Sequence, residues 1–145
     1  MTEQDEPIKR EYLEPAGEEE MIDHLGTLEG LAESRALALR IADVIAETPA
    51  ANTLVLDIHT LTPWADFFVI CSGENERQLR AITREILDEI EEAGHVPRRT
   101  EGNELSGWTL LDYGDVVVHI FDTEQRAFYR LEDRWAAGTT VLSIE

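Results

Sequence analysis

Residues able to do chemistry gather in one stretch of the chain, GWTLLDYGDVVVHIFDTEQRAFYRLEDRW, which runs from Gly107 to Trp135. Asp112 and Asp115 flank the tip of a predicted hairpin, so their carboxylates could approach each other and bind Mg²⁺ through oxygen. Aspartate is also a common turn residue, because its side chain accepts hydrogen bonds from its own backbone. Both interpretations stay open on the sequence, and we favour the turn.

His119 is the histidine of this stretch. Strand alternation in DVVVHIF places it on the same face as Asp115 and Val117, while the opposite face is aliphatic. A strand histidine is usually held as scaffold by a hydrogen bond, and no nearby residue offers a nucleophile for it to activate. The turn CSGENE, between a strand and a helix, has one glycine and no lysine for a phosphate. We therefore predict no catalytic residue, no metal ligand and no cofactor.

Large aromatic residues are more numerous here than a sheet and one helix need for filling: Trp108, Tyr113, Tyr129 and Trp135. Tyr129 lies about 100° of helix turn away from the apolar face of the predicted last helix. Tryptophan and tyrosine are favoured as interface anchors, because they offer large area with few rotatable bonds. The alternative is that Trp108 and Trp135 pack in the core.

The charge balance narrows the class of partner. The 145 residues include 31 acids against 12 lysines and arginines, a formal net charge of -19 at pH 7. This field repels phosphate backbones, and the arginines are interleaved with acids instead of forming a basic patch. We predict no direct nucleic-acid site and favour a basic protein partner, attracted at long range. The alternative is that the acidity serves solubility or reflects a salty cytosol.

Length and composition predict one domain in the cytoplasm. No run approaches the roughly 18 apolar residues of a membrane span, and the N-terminus lacks the basic start and apolar stretch of a signal peptide. Cys71 stands alone, which is typical of a small buried hydrophobe. The oligomeric state stays open, a homodimer included.

The N-terminal segment differs in composition from the rest. Residues 1–33 hold eleven acids against Lys9 and Arg10, which predicts a flexible acidic extension. The alternative is that MIDHLGTLEGL adds a short turn of helix against the domain. The folded domain is then predicted to cover residues 34–145.

Periodicity predicts the element order α-β-β-α-(β)-β-β-α, a mixed β-sheet with packed helices of the α/β or α+β class. The first helix starts with Ser34 as N-cap and stops at Thr48-Pro49, and strands follow at 53–58 and 66–72. The longest helix runs from Glu76 to a left-handed stop at Gly94.

The C-terminal part is predicted as a hairpin and a helix. A short segment near Val96 leads through the polar loop RRTEGNELSG to the strands WTLLD and DVVVHIF, with a tight turn at Gly114. The last helix is capped by Asp122 or Thr123 and ends at Gly138. Three residues form its apolar face: Phe128, Leu131 and Trp135.

Four stretches, in order and spacing, resemble the Iojap family, the bacterial and organellar ribosomal silencing factors: DIHTLTPWADFFVICSG, EG, GWTLLDYGDVVVHIF and RAFYRLEDRW. The resemblance runs from about Leu37 to Trp135. It departs from the family at Glu74-Asn75-Glu76, which replaces a small, hydroxyl-rich turn, and residues before Ser34 lie outside it. The signature positions matched are Asp66, Gly73, Glu101, Gly102, Trp108, Asp112, Gly114, Asp115, His119, Arg126, Tyr129, Leu131, Glu132 and Trp135.

The resemblance implies a nucleotidyltransferase-like α/β fold with no known catalytic activity. It also implies binding to the large ribosomal subunit through ribosomal protein L-fourteen, which blocks subunit joining when nutrients are short. The expected partner-binding residues are Trp108, Asp112, Asp115, Tyr129, Leu131 and Glu132. Two other classes stay open: an acidic adaptor for another basic protein, and a metal-dependent nucleotidyltransferase-like enzyme. For the enzyme, WTLLD offers one carboxylate where a spaced pair is needed.

Overall fold

The computed structural model of the chain describes residue 8, residues 10–15 and residues 28–145. A short 3₁₀ helix, Arg10–Tyr12, precedes the domain. The helices are α1 (Leu28–Ala46), α2 (Glu76–Glu92), α3 (Thr123–Tyr129) and α4 (Leu131–Arg134). The strands are β1 (Ala51–Asp57), β2 (Phe67–Gly73), β3 (Arg99–Asn103), β4 (Trp108–Asp112), β5 (Val116–Asp122) and β6 (Thr139–Ile144).

The six strands form one sheet in the spatial order β3-β4-β5-β2-β1-β6. The central strands β2 and β5 run parallel, and the other neighbouring pairs are antiparallel. The predicted fold class, a mixed sheet with packed helices, is therefore confirmed. Within the part of the chain that the structure describes, no helix has both the length and the apolar character needed to cross a membrane.

The two long helices cover one face of the sheet, which we call the first face. Ile41 and Ile45 of α1 and Ile82 and Ile86 of α2 recur at helical spacing, and all four are buried in one cluster with strand residues such as Val69. This spacing puts the apolar side chains of each helix on one stripe facing the strands. The first face is therefore built as its periodic sequence predicts.

Local turn and capping signals also behave as predicted. Gly94 has a φ of 98° just after α2, and Gly114 has a φ of 93° in the β4–β5 turn, a region that glycine adopts readily. The Asp122 side chain accepts a hydrogen bond from the Gln125 backbone N–H at 2.6 Å and so caps α3. These signals fix where the elements around the hairpin begin and end.

The predicted start of the first helix is wrong. α1 begins at Leu28, and Ser34 lies in its interior with 3% of its surface exposed. The Ser34 hydroxyl lies 2.9 Å from the Gly30 carbonyl oxygen and 2.9 Å from Asp66 Oδ2. A serine inside a helix commonly donates to the carbonyl four residues earlier. The Ser34 hydroxyl is therefore satisfied within the helix and does not act as an N-cap. The alternative turn of helix at 21–31 falls mostly outside the described residues, and its last four residues belong to α1.

Two strands were not predicted. β3 occupies part of the predicted polar loop and pairs with β4 from Arg99 opposite Asp112 to Asn103 opposite Trp108. β6 pairs with β1 and has no counterpart in the predicted order. Both are edge strands whose residues are exposed or half-buried, so neither carries the alternation of apolar and polar residues that marks a half-buried strand. The segment near Val96 is not a strand: Val96 lies in a loop and is 65% exposed.

The predicted last helix is broken in two. Arg130 adopts the left-handed conformation, with a φ of 49°, so α3 ends there and α4 starts along a new axis. Leu131 and Trp135 are fully buried, whereas Phe128 is 73% exposed. The prediction that Phe128 shares their apolar face is therefore wrong, because that face requires one continuous helix.

The second face of the sheet is covered by short pieces of chain. Tyr12, Leu131 and Trp135 are buried against it in one cluster with Phe68 and Val117. We call residues 11–14 the EYLE segment. The prediction of a flexible extension is wrong for this segment, because the Tyr12 side chain is only 3% exposed. The rest of residues 1–27, apart from residues 8, 10 and 15, lies outside the described residues.

Candidate partner interface

The six predicted partner-binding residues fall into two groups at opposite ends of the β4–β5 hairpin. Trp108 begins β4 and Asp112 ends it, a separation of about 13 Å at roughly 3.3 Å per strand residue. Tyr129, Leu131 and Glu132 lie at the Trp108 end, and Asp115 lies at the Asp112 end, in the hairpin turn. The structure therefore does not bring the six together in one site.

Trp108 is a core residue, contrary to its predicted role as a surface anchor. Only 4% of it is exposed, and its ring packs on Phe121 and Tyr129 with centroids 4.6 and 4.5 Å away. Its indole N–H donates to His119 Nδ1 at 3.2 Å. β4 turns Trp108 toward the second face, where α3 and α4 cover it. A direct contact between Trp108 and a partner is therefore blocked in this conformation.

His119 is held as scaffold beneath Trp108. It is fully buried, and burial lowers the pKa of its imidazole to about 3. Because Nδ1 accepts the Trp108 hydrogen bond in the neutral ring, the proton resides on Nε2. The Phe68 ring meets the imidazole edge-on, with centroids 4.5 Å apart. These contacts agree with the predicted scaffolding role.

Asp112 is buried within a network of hydrogen bonds. The Tyr12 hydroxyl donates to its Oδ2 at 2.6 Å, Arg98 donates to both oxygens at 3.2 and 3.3 Å, and the Gly114 N–H donates to Oδ1 at 2.7 Å. Burial, followed by the hydrogen bond to Asp112, raises the pKa of the Tyr12 hydroxyl, which keeps its proton. The bond from Gly114 confirms the predicted turn role. Asp112 is fully buried in this conformation, beneath Tyr12.

Asp115 is exposed at the turn, and its backbone carbonyl accepts from the Asp66 and Phe67 N–H groups at 2.7 and 3.1 Å. Its position ties the start of β2 to the start of β5. Among the described residues, no group of three or more His, Cys, Asp or Glu side chains is arranged to hold a metal ion.

Around α4, Glu132 is engaged in an ion pair with Arg126, at 3.0 Å. Arg126 also donates to the Asn52 carbonyl at 2.6 Å and to the Ser72 hydroxyl at 2.8 Å. Its guanidinium thus ties α3 and α4 to the ends of β1 and β2. Leu131 is fully buried and is a core residue, contrary to its predicted contact role. The Glu132 side chain is about 30% exposed, while its second carboxylate oxygen, Oε2, is buried with no hydrogen-bond partner among the described residues.

The most exposed aromatic residue was missed by sequence reasoning. Phe128 projects from α3 and contacts Tyr129 edge-on, with ring centroids 5.1 Å apart. Glu124 lies one helical turn before Phe128 and lines a cavity of about 710 Å³ together with Glu104 and Leu105. Leu105 is 74% exposed. We call this group, Phe128, Tyr129, Leu105, Glu104 and Glu124, the Phe128 surface.

The Phe128 surface has the composition of a protein contact. Exposed apolar side chains next to acids provide a central anchor with a charged surrounding, as interfaces commonly do. Tyr129 connects it to the core, because its ring lies half-buried on Trp108. The break at Arg130 separates the exposed Phe128 from the buried Leu131, and no sequence signal marked a left-handed arginine.

Comparison with known proteins gives the class of this domain. The family model described as "Ribosomal silencing factor during starvation" matches residues 31–145. A ribosomal silencing factor of Halalkalibacterium halodurans is 38% identical over 99 residues, covering 68% of this chain and 85% of that protein. The chloroplastic protein Iojap of Zea mays is 36% identical over 110 residues, covering 76% of this chain and 48% of that protein.

Solved structures agree with this result. A crystal structure from Bacillus halodurans is similar with a TM-score of 0.63 and 36% identity, covering 77% of this chain and 98% of that one. A crystal structure from Chromobacterium violaceum has a TM-score of 0.68 at 26% identity, covering 71% of this chain and 86% of that one. The chain belongs to the ribosomal silencing factor (RsfS) family. The sequence resemblance to this family is thereby confirmed.

Proposed function

We propose that this protein represses translation by binding the large ribosomal subunit through ribosomal protein L-fourteen and blocking its joining with the small subunit. Family membership over residues 31–145 carries the proposal. The action takes place in the cytoplasm, at times of nutrient limitation. It requires occlusion by the bulk of the domain and no chemical step.

Two physical features support this proposal: the net negative charge of the protein and an exposed aromatic side chain on its surface. The net charge of -19 attracts a basic, RNA-bound protein surface at long range. The Phe128 surface offers an exposed aromatic anchor one helical turn from Glu124, which suits a basic partner at short range, while Glu104 is paired with Arg80 at 3.1 Å. We propose Phe128 and Tyr129 as central contacts, with Glu132 and Glu124 around them.

Two of the predicted partner-binding residues, Trp108 and Leu131, are buried and support the contact surface without touching the partner. Trp108 holds Tyr129 in place, and Leu131 holds α4 against the sheet. Substituting either would alter binding through the shape of the surface. Asp115 and Asp112, at the far end of the hairpin, fall outside the proposed centre.

The direct test is Phe128→Ala. Truncating a buried interface aromatic commonly costs about 2 kcal/mol, so affinity for isolated large subunits should fall at least roughly thirtyfold. The protein should also lose its ability to keep subunits apart in a sedimentation gradient. Because Phe128 is exposed, the melting temperature of the Phe128→Ala protein should equal that of the unaltered protein.

Val96→Ala is the matched control, because Val96 is also exposed and apolar but lies in the loop before β3, toward the other end of the hairpin. It should bind like the unaltered protein. If Phe128→Ala binds large subunits with full affinity, the proposed centre is wrong. If the unaltered protein binds neither large subunits nor purified L-fourteen protein, the proposed function itself fails.

Salt gives a second test. Long-range steering by the acidic surface should make the association rate with large subunits fall as ionic strength rises. An association rate that does not change between low and high salt would indicate that the acidity serves solubility.

A further inference from the structure

The EYLE segment lies outside the region that the family model matches, yet it reaches the core of the domain. Tyr12 stands 100 positions before Asp112 and 123 before Trp135 in the sequence, and contacts both. Its backbone belongs to none of the six strands of the sheet. The segment is therefore held by side-chain recognition, as a bound peptide is.

The centre of this recognition is Tyr12. Its hydroxyl donates to Asp112 Oδ2 at 2.6 Å, and Arg98 holds that carboxylate in place from the other side. The Trp135 indole N–H donates to the Tyr12 backbone carbonyl at 3.3 Å. The charged acceptor for the phenol distinguishes tyrosine from phenylalanine, whereas the donor for the adjoining carbonyl positions the backbone of the segment.

The rim recognises acids on both sides of the tyrosine. Arg99 Nη1 lies 3.3 Å from a Glu11 carboxylate oxygen, and Arg134 Nη1 lies 3.9 Å from Glu14. These pairs are partly exposed, so they select the charge of the peptide more than they add affinity. The protein has a net charge of -19, which repels acidic segments. The arginines at the edge of this groove offset that repulsion locally, so an acidic segment can bind there.

Apolar contacts complete the groove. Tyr12 lies in the cluster of the second face, and Ile8 and Leu13 pack against that cluster half-buried. Thirteen residues, 15–27, join the segment to α1, a length of chain that spans up to about 45 Å when extended. The length of the connection alone therefore does not couple docking of the segment to the position of α1.

We propose that this groove is a binding site for a peptide with a central tyrosine flanked by glutamates, and that the EYLE segment is its ligand, held in cis and reversibly released. Ordering a few residues by side-chain contacts alone gives a low-stability element that opens without global unfolding. Opening uncovers the apolar floor, the Asp112 carboxylate and the arginine rim. The proposal is independent of ribosome binding.

The test uses the full chain and a fluorescent peptide spanning residues 8–15, IKREYLEP. In Tyr12→Ala protein, whose own segment is weakened, the peptide should bind saturably by fluorescence anisotropy. The unaltered protein should bind it at least about tenfold more weakly, because its own segment competes. The peptide carrying Tyr12→Phe should bind Tyr12→Ala protein at least about tenfold more weakly, since a hydrogen bond to a charged acceptor is lost.

A scrambled peptide of the same composition is the control for charge, and it should not bind. Tyr12→Phe protein is the second host, because it keeps the ring and removes only the hydroxyl. The proposal is overturned if folded Tyr12→Ala and Tyr12→Phe proteins fail to bind the peptide, or if the scrambled peptide binds equally. It is also overturned if the unaltered protein binds the peptide as tightly as Tyr12→Ala, or if neither variant folds, because the segment would then be an integral part of the core.

Discussion

The two faces of the sheet are built in different ways. The first face is covered by α1 and α2, whose aliphatic residues recur every three or four positions. The second face is covered by α3, α4 and the EYLE segment, all short, and its core holds aromatic rings and the polar groups of His119 and Asp112. A long amphipathic helix packs on the sheet through a periodic stripe of apolar side chains, whereas a short segment is held by individual contacts with particular side chains. Substitutions in the core of the second face should therefore alter the shape of the protein surface more than substitutions in the core of the first face.

Trp108→Ala should have the largest effect on stability. The side chain is buried, and its loss leaves a cavity as well as His119 Nδ1 without a donor, so the free energy of unfolding should fall by about 3–5 kcal/mol. Trp64→Ala is the matched control: Trp64 is 45% exposed, and its loss should cost less than about 1 kcal/mol. Denaturant titrations of both variants measure the difference. Equal small losses would contradict the burial of Trp108.

The second-largest effect on the free energy of unfolding should come from acid, through the buried His119 on the second face. The folded-state pKa of His119, about 3, lies below the unfolded value of about 6.5, so the unfolded state binds more protons between these limits. The stability contribution is thus fully present above pH 6.5 and is lost as the pH falls toward 3. By pH 5 the loss should reach about 2 kcal/mol.

A variant separates this effect from the titration of carboxylates. His119→Gln does not titrate, so the difference in unfolding free energy between it and the unaltered protein should narrow as the pH falls from 7 to 5. Denaturant titrations at several pH values measure it. A difference that stays constant with pH would show that His119 is accessible to protons in the folded state.

Tyr12→Phe should have a moderate effect, and Tyr113→Phe provides the contrast. Tyr12 donates to the Asp112 carboxylate, so losing its hydroxyl should cost about 1–2 kcal/mol. The Tyr113 hydroxyl is buried with no hydrogen-bond partner among the described residues, so its removal should be neutral or slightly stabilising. Thermal melts of the two variants compare them directly. A larger loss for Tyr113→Phe than for Tyr12→Phe would contradict the assigned hydrogen bonding.

The smallest effect on stability is expected for Phe128→Ala. Its ring is mostly exposed, so the unfolding free energy should stay within about 0.5 kcal/mol of the unaltered value. A loss of more than about 2 kcal/mol would place Phe128 in the core of the second face, as a continuous last helix would require. Binding and stability should therefore separate at Phe128 and coincide at Trp108.

The amino-acid sequence by itself determined the elements whose signals are local. The stripe of α2, the stop at Gly94, the hairpin turn at Gly114 and the Asp122 cap all follow from residues within one or two turns of each other. The family signature was legible for the same reason, since it is carried by contiguous stretches around the hairpin and the last helices.

Only the tertiary structure decided which signature residues face solvent. Tyr12 meets Asp112 across 100 positions, and no local pattern encodes a contact at that distance. The left-handed Arg130 ends one helix after the exposed Phe128 and starts another at the buried Leu131, because packing on the second face overrides the helical periodicity of the segment. Local propensity acts over a few residues, whereas burial depends on what the rest of the chain brings to the same place.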